Sequence, residues 1–129
     1  MKPEEQRIAI AEACGWKHNN GEKPNYGGTY RQAGWTSPNG VFIASTWETK
    51  TASGIPDYLN DLNACHEMET VLTREQQKVY EVVLREVVSG KSGFWYVPHA
   101  CEVFAVAHAT AAQRAESFLR TIGKWKEGV

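Results

Sequence analysis

The chain has 129 residues and a mass of 14.4 kDa, the size of one ordinary globular domain rather than two. Its 14 Lys and Arg nearly balance its 15 Asp and Glu, so no overall positive field is present to hold a nucleic-acid backbone. No run approaches the roughly 18 to 20 apolar residues that span a bilayer, and the N-terminus lacks the apolar stretch of a signal peptide. We therefore expect one cytoplasmic domain over residues 1–129, without membrane binding or general nucleic-acid binding.

The first half of the chain predicts a helix followed by a hairpin. The helix covers residues 3–14, with Pro and two acids at its start and Gly directly after it. Residues 18–28 are polar and rich in turn formers, which predicts an exposed loop. Two strands, over residues 29–36 and 41–47, flank the sequence Ser-Pro-Asn-Gly at residues 37–40. This tetrapeptide is typical of a β-turn and predicts a hairpin.

The second half predicts three helices and one or two short strands. The helix over residues 55–72 is followed at once by a helix over residues 73–90, and we expect the two to form a tight hairpin. Strand formers occupy residues 93–97 and 101–106, and a last amphipathic helix covers residues 110–122. The order predicts an α+β fold, a layered domain with a small, mainly antiparallel sheet and about four helices.

The helix predicted over residues 55–72 carries an ionisable pair on its apolar side. At about 100° per residue, His66 and Glu69 fall within a stripe of apolar side chains. The stripe consists of Ile55, Tyr58, Leu59, Leu62, Cys65, Met68 and Leu72. Ionisable groups turned inward need partners, because burying them alone is costly. Either the pair contacts a backbone carbonyl or an arginine such as Arg114 or Arg120, or it forms the floor of a cleft for a ligand.

Known metal and cofactor motifs are missing from the sequence. Cys14, Cys65 and Cys101 are odd in number and have no framework spacing, which predicts reduced thiols. No C-x-x-C, H-E-x-x-H, phosphate-loop, dinucleotide-binding or nucleophile-elbow pattern occurs. We therefore expect no metal and no cofactor.

Aromatic residues give a second indication of a binding site. Five Trp are many for a core of this size, and aromatic rings suit binding surfaces and base stacking. With His66 and Glu69, the candidate ligand-binding residues are Tyr26, Arg31, Trp35, Asn39 and Trp95. Ordinary core and hairpin packing is the alternative explanation for the rings.

Three blocks of sequence, spread over nearly the whole chain, point to a family. They read IAIAEACGW at residues 8–16, IPDYLNDLNACHE at residues 55–67, and ATAAQRAE followed by FLR within residues 109–120. Together and in this order, they resemble the phage ABA sandwich domain family. Cys65 stands where a Met-like residue is expected, and the loop over residues 18–28 is unusually long. The resemblance implies an α/β/α arrangement and a phage origin, and it brings no catalytic residues with it.

We expect a non-enzymatic phage accessory protein that acts by binding, as a small homo-oligomer. In one version it sequesters a nucleotide-type host defence signal, whose base would stack on aromatic rings and whose phosphate would pair with arginine. In another version it is a protein–protein interaction module that inhibits or modulates a host or phage factor. A small hydrolase using His66 with Glu69 or Asp61 ranks last, because no nucleophile, metal or oxyanion feature accompanies these residues.

Overall fold

The first helix of the computed structural model lies where the sequence predicts it. The structure describes residues 1–20, 33–44, 50–89 and 106–127. Helix α1 spans Pro3–Ala13, with Glu4 and Glu5 in its first turn. It ends at Cys14, and Gly15 follows in the left-handed region at a φ of 98°. Proline at the start and glycine after the end are both favoured by backbone geometry, so this helix is specified locally.

Three short antiparallel strands form the sheet. They are β1 (Lys17–Asn19), β2 (Gly34–Thr36) and β3 (Phe42–Ala44), in the order β1-β2-β3. The β2–β3 pair confirms the predicted hairpin, and its turn is closed by Gly40 at a φ of 86°. Strand β1 was not predicted. Its last two residues, at 18 and 19, were assigned to an exposed loop, and that assignment is wrong because both pair with β2.

The second helix is shorter than predicted. Helix α2 spans Leu62–Glu69, whereas the sequence predicted a helix from residue 55 to residue 72. The Asp61 side chain accepts a hydrogen bond from the Asn63 N–H at 2.9 Å and caps α2. Asp57 accepts from the Leu59 N–H at 3.3 Å. Aspartate side chains that bind nearby N–H groups compete with helical hydrogen bonds, so residues 55–61 form turns instead.

Two longer helices complete the described fold, and both begin with the predicted capping box. Helix α3 spans Arg74–Ser89, and helix α4 spans Ala111–Thr121. In α4, the Thr110 hydroxyl accepts from the Gln113 N–H at 3.1 Å while the Gln113 side chain accepts from the Thr110 N–H at 2.9 Å. The strands predicted over residues 93–97 and 101–105 lie outside the described residues, and Val106 is already helical.

Helix α4 is the common partner of the other helices. Helix α3 packs on it most extensively, and α1 and α2 also contact it. The predicted tight pairing of α2 with α3 is therefore wrong, because both helices pack mainly on α4. Phe118 and Leu119 of α4 are fully buried, as are Ile10 of α1 and Trp35 of β2. The α+β class with a small antiparallel sheet is confirmed. Within the part of the chain that the structure describes, every helix is too short or too polar to cross a bilayer.

The capping box of α4 gives a stability prediction. Replacing Thr110 with Ala leaves the Gln113 N–H without its acceptor, so the free energy of unfolding should fall by about 1 kcal/mol. Urea unfolding monitored by circular dichroism measures this loss. Thr110→Ser keeps the hydroxyl and serves as the control, with a loss of a few tenths of a kcal/mol at most. Equal losses in the two variants would contradict a role for the hydroxyl.

Candidate functional site

The two ionisable residues singled out on α2 do not share an environment. The His66 side chain is exposed to solvent, so the prediction that it turns into the core is wrong. Glu69 does turn inward, and its side chain is only 25% exposed. The buried face of α2 consists of Ala64, Cys65 and Met68, which places His66 on the opposite side.

Glu69 is held by groups from two other helices. Its Oε1 accepts a hydrogen bond from the Tyr80 hydroxyl of α3 at 2.9 Å and one from the Arg114 guanidinium of α4 at 3.2 Å. Arg114 also donates to the backbone oxygens of Ala109 and Val106, at 3.3 and 3.2 Å. This arrangement agrees with the structural interpretation, in which Arg114 meets the carboxylate.

The electrostatics of this cluster also indicate a structural role. Burial, together with the neighbouring Glu69 carboxylate, raises the pKa of Tyr80 well above its ordinary value. Tyr80 therefore stays protonated and donates its hydrogen bond throughout the physiological range. Asp61 caps α2, so the two carboxylates considered for hydrolysis both have structural partners. Neither forms a hydrogen-bonded pair with His66 that could transfer a proton.

The aromatic candidates do not converge on one site within the described residues. Trp35 is fully buried, and its indole N–H donates to the Thr51 carbonyl oxygen at 2.8 Å. Its ring faces are therefore covered by the core and are not available to stack on a base. Asn39 is exposed in the turn between β2 and β3. Tyr26, Arg31 and Trp95 lie outside the described residues.

The two described thiols are poor metal ligands. Burial raises the pKa of Cys65 to about 11, and burial likewise raises the pKa of Cys14 to about 11. The Cys65 Sγ lies 3.0 Å from the Tyr58 carbonyl oxygen, where the thiol donates its proton. Metals bind the thiolate, which is scarce at neutral pH when the pKa is this high. Among the described residues, no three His, Cys, Asp or Glu side chains are grouped so that they could hold a metal ion.

Sequence reasoning missed an exposed apolar row on α3. Val79 and Val82 are 50% and 53% exposed, on the side of α3 opposite the buried Tyr80 and Leu84. Glu75 lies four residues before Val79, and Glu86 lies four residues after Val82. We call these four residues, Glu75, Val79, Val82 and Glu86, the α3 outer stripe. Their spacing of four, three and four residues is visible in the sequence. The amphipathic pattern of α3 predicts one apolar side, which faces the core, and therefore does not predict an exposed apolar row.

A groove also runs between α1 and the segment that follows α4. It encloses about 640 Å³ and is lined by Met1, Glu5, Ile8, Ala9, Glu12, Ala13, Lys124 and Lys126. We call it the α1 groove. Helix α1 contributes apolar side chains and two glutamates to the groove, and the segment after α4 contributes two lysines. No signal in the sequence brings residues 124–126 next to residues 5–13, because this proximity depends on how α1 and α4 pack together.

Comparison with protein-family models, with curated proteins and with solved structures finds no match for this chain. The resemblance to the phage ABA sandwich domain family therefore stays a prediction that rests on the three sequence blocks.

The contacts of Glu69 predict unequal effects for the two α2 residues. Arg114→Met removes the cation that pairs with the partly buried Glu69 carboxylate and also removes donors to two backbone oxygens, so the free energy of unfolding should fall by about 1–3 kcal/mol. His66→Gln, at an exposed position, should change it by less than about 0.5 kcal/mol. Urea titrations of both variants measure these values. A larger loss in His66→Gln than in Arg114→Met would contradict the structural assignment.

His18 predicts a dependence of stability on pH. Burial lowers its pKa below the ordinary 6.5, and the nearby Lys50 ammonium lowers it further, against an opposing effect of Glu12. Its Nε2 is buried without a hydrogen-bond partner. Below pH 6.5 the unfolded chain therefore takes up a proton before the folded chain does, and stability falls as the pH is lowered.

The test compares melting temperatures at about pH 7.5 and about pH 5.5. The wild-type protein should lose more stability between these values than His18→Gln does, because the variant lacks the titrating group. His66→Gln, which removes an exposed histidine, should behave like the wild type. If His18→Gln loses as much as the wild type, the folded-state pKa of His18 is not depressed.

Proposed function

We propose that this protein is a non-enzymatic binding protein, and that it docks a basic amphipathic helix of a partner protein on the α3 outer stripe. The observation that carries the proposal is the exposed valine pair, Val79 and Val82, bounded at each end by a glutamate. The cluster of Glu69, Tyr80 and Arg114 supports binding over hydrolysis. Its ionisable groups bind one another and so connect three helices.

The valines supply the apolar part of the surface. Val79 and Val82 are three residues apart and therefore adjacent on the helix, and the half-buried Val83 continues the apolar surface beside them. The opposite side of α3 is fixed on α4 through Tyr80 and Leu84. The stripe is thus presented by a braced helix, which reduces the ordering cost of binding.

The glutamates define the chemistry of the partner. Glu75 is exposed and Glu86 is partly exposed, and within the described ranges neither side chain forms an ion pair. Glu81, by contrast, is engaged by Arg85 at 2.7 Å. A partner helix with apolar side chains between Lys or Arg residues would match this order of charges.

A phage accessory role in the bacterial cytoplasm, as the family resemblance implies, would make the partner a host or phage protein that is inhibited or modulated. The nucleotide-sequestering version has less support from the geometry. Trp35 is enclosed in the core, and Asn39 is the one remaining residue of the aromatic cluster within the described ranges.

Variants of the stripe test the proposal. Val79→Glu/Val82→Glu removes the apolar contact and should weaken capture of the partner from bacterial lysate by roughly tenfold or more, as quantified by mass spectrometry. Glutamate is a better helix former than valine, so α3 should remain folded. Val41→Glu/Val71→Glu is the matched control, because these valines are also exposed but lie outside the stripe. It should leave capture unchanged.

Charge reversal supplies the second test. Glu75→Lys/Glu86→Lys should weaken the same captured complex, and the complex of the wild-type protein should weaken as salt is raised. A partner that Val79→Glu/Val82→Glu retains, or no stoichiometric partner at all, would refute the proposal. If a panel of cyclic and ADP-ribose-type nucleotides raises the melting temperature while no protein is captured, nucleotide sequestration replaces it.

A further inference from the structure

The turn between β2 and β3 contains an asparagine followed directly by a glycine. Asn39 and Gly40 are both exposed to solvent. Apart from its two chain neighbours, no described residue has an atom within 4 Å of the position that a Cβ atom would take on Gly40. Within the described ranges, the Asn39 side chain also forms no hydrogen bond. Its carboxamide is therefore free to rotate beside an uncovered stretch of backbone.

The base of this turn is closed by hydrogen bonds. The Gly40 N–H donates to the Ser37 carbonyl oxygen at 2.9 Å, and the Ser37 N–H donates to the Val41 carbonyl oxygen at 2.8 Å. The Val41 N–H donates to the Ser37 hydroxyl at 3.0 Å. Asn39 thus lies at the open tip of a turn whose two ends are joined.

An asparagine side chain can react with the backbone nitrogen of the residue that follows it. The nitrogen attacks the side-chain Cγ and closes a five-membered ring, and asparagine is for this reason a thermolabile residue. A glycine in the next position hinders the attack least, because it has no Cβ and its backbone is the most adaptable. Asn39 and Gly40 therefore combine a reactive residue pair with an exposed position.

We infer that Asn39 is a site of spontaneous modification, at which its carboxamide is converted to aspartate or isoaspartate. The Gly40 nitrogen loses its proton to a base and forms a bond to the Cγ of Asn39, and the bond between Cγ and Nδ2 breaks to release ammonia. Water then opens the ring at one of its two carbonyl carbons. Opening at Cγ gives aspartate, whereas opening at the backbone carbonyl gives isoaspartate, whose chain runs through Cγ. Water is the only reactant consumed.

The hydrogen bond from Gly40 to Ser37 opposes this reaction, because the nitrogen must leave its acceptor before it attacks. Strands β2 and β3 have three residues each, so the turn can open without unfolding of the whole protein. We therefore expect the folded protein to react more slowly than the unfolded chain. It should still react faster at Asn39 than at Asn60 or Asn63, because neither of these precedes a glycine.

The product would change both the charge and the backbone of the turn. Either acid makes the formal net charge of the chain, which is -1, more negative by one. Isoaspartate also adds one carbon atom to the chain between Asn39 and Gly40. This shifts Val41 relative to Ser37 and disrupts the two hydrogen bonds that join them. The site is independent of the proposed partner binding, because the turn shares no residue with the α3 outer stripe.

Incubation of the purified full chain at about 37 °C and about pH 8.5, followed by tryptic digestion and mass spectrometry, tests the site. Cleavage after Arg31 and Lys50 gives a peptide in which Asn39 is the only asparagine. Acid should form in this peptide at least roughly fivefold faster than in the peptide over residues 51–74, which carries the two reference asparagines. The rate should be lower at about pH 6.5, because the attacking nitrogen must lose its proton.

Asn39→Gln is the matched control. It keeps the carboxamide, but its ring would need six members and closes slowly, so no acid should form at this position over the same period. The modified wild-type fraction, separated by anion exchange, should exchange the Ser37 and Val41 amide protons at least roughly tenfold faster than the unmodified fraction.

Three outcomes would overturn the inference. The first is an equal rate of acid formation in the Asn39 peptide and in the reference peptide. The second is acid at Asn39 only in urea-unfolded protein, which would mean that the folded turn prevents the attack. The third is unchanged hydrogen exchange at Ser37 and Val41 in the isoaspartate fraction, which would remove the structural consequence.

Discussion

The partly buried Glu69 carboxylate is the constraint on which the helical part of the fold depends. It lies at the end of α2 and is neutralised by Arg114 of α4, while Tyr80 of α3 supplies a second donor. A charge in this position is tolerated only when all its partners are in place, because the interior does not solvate it as water does. Three helices must therefore dock together before the carboxylate is satisfied. The same requirement fixes Arg114, whose remaining donors bind the backbone just before α4.

This use of ionisable groups separates the interior of the protein from its surface. Of the interior groups, the Glu69 carboxylate has its donors and the Cys65 thiol donates to a carbonyl oxygen, whereas the buried His18 Nε2 has no hydrogen-bond partner. The groups that retain bonding capacity, among them Glu75 on α3 and Lys124 after α4, lie on the outside. Both lie close to apolar side chains, Glu75 beside Val79 on α3 and Lys124 beside the apolar residues of the α1 groove. This distribution is the basis of the binding function proposed above.

Features governed by local chemistry could be predicted from the sequence. Proline at the start of α1, the glycine after it, both capping boxes and the turn before β3 involve residues close together in the chain. Strand β1 could not be predicted in this way, because its polar residues gain their hydrogen bonds from β2, more than a dozen positions away. Arg114 could be named from the sequence as a candidate partner of Glu69, together with Arg120, because a carboxylate that faces the interior requires a donor.

The position of His66 shows how an error in helix length becomes an error in orientation. The predicted stripe included Ile55, Tyr58 and Leu59, and these three residues determined which side of the helix appeared to be buried. In the structure they precede α2, in turns stabilised by Asp57, and so they place no constraint on the rotation of α2. The buried side then centres on Ala64, Cys65 and Met68, and His66 moves outward.

The small size of the α3 outer stripe has a consequence for binding strength. Helix α3 is braced on α4, so the stripe is presented on a fixed surface and little ordering is needed for binding. Its apolar part is a pair of exposed valines, and a patch of this size would by itself release a partner quickly. The glutamates at its two ends would therefore have to supply both the rate of encounter with a basic partner and its register.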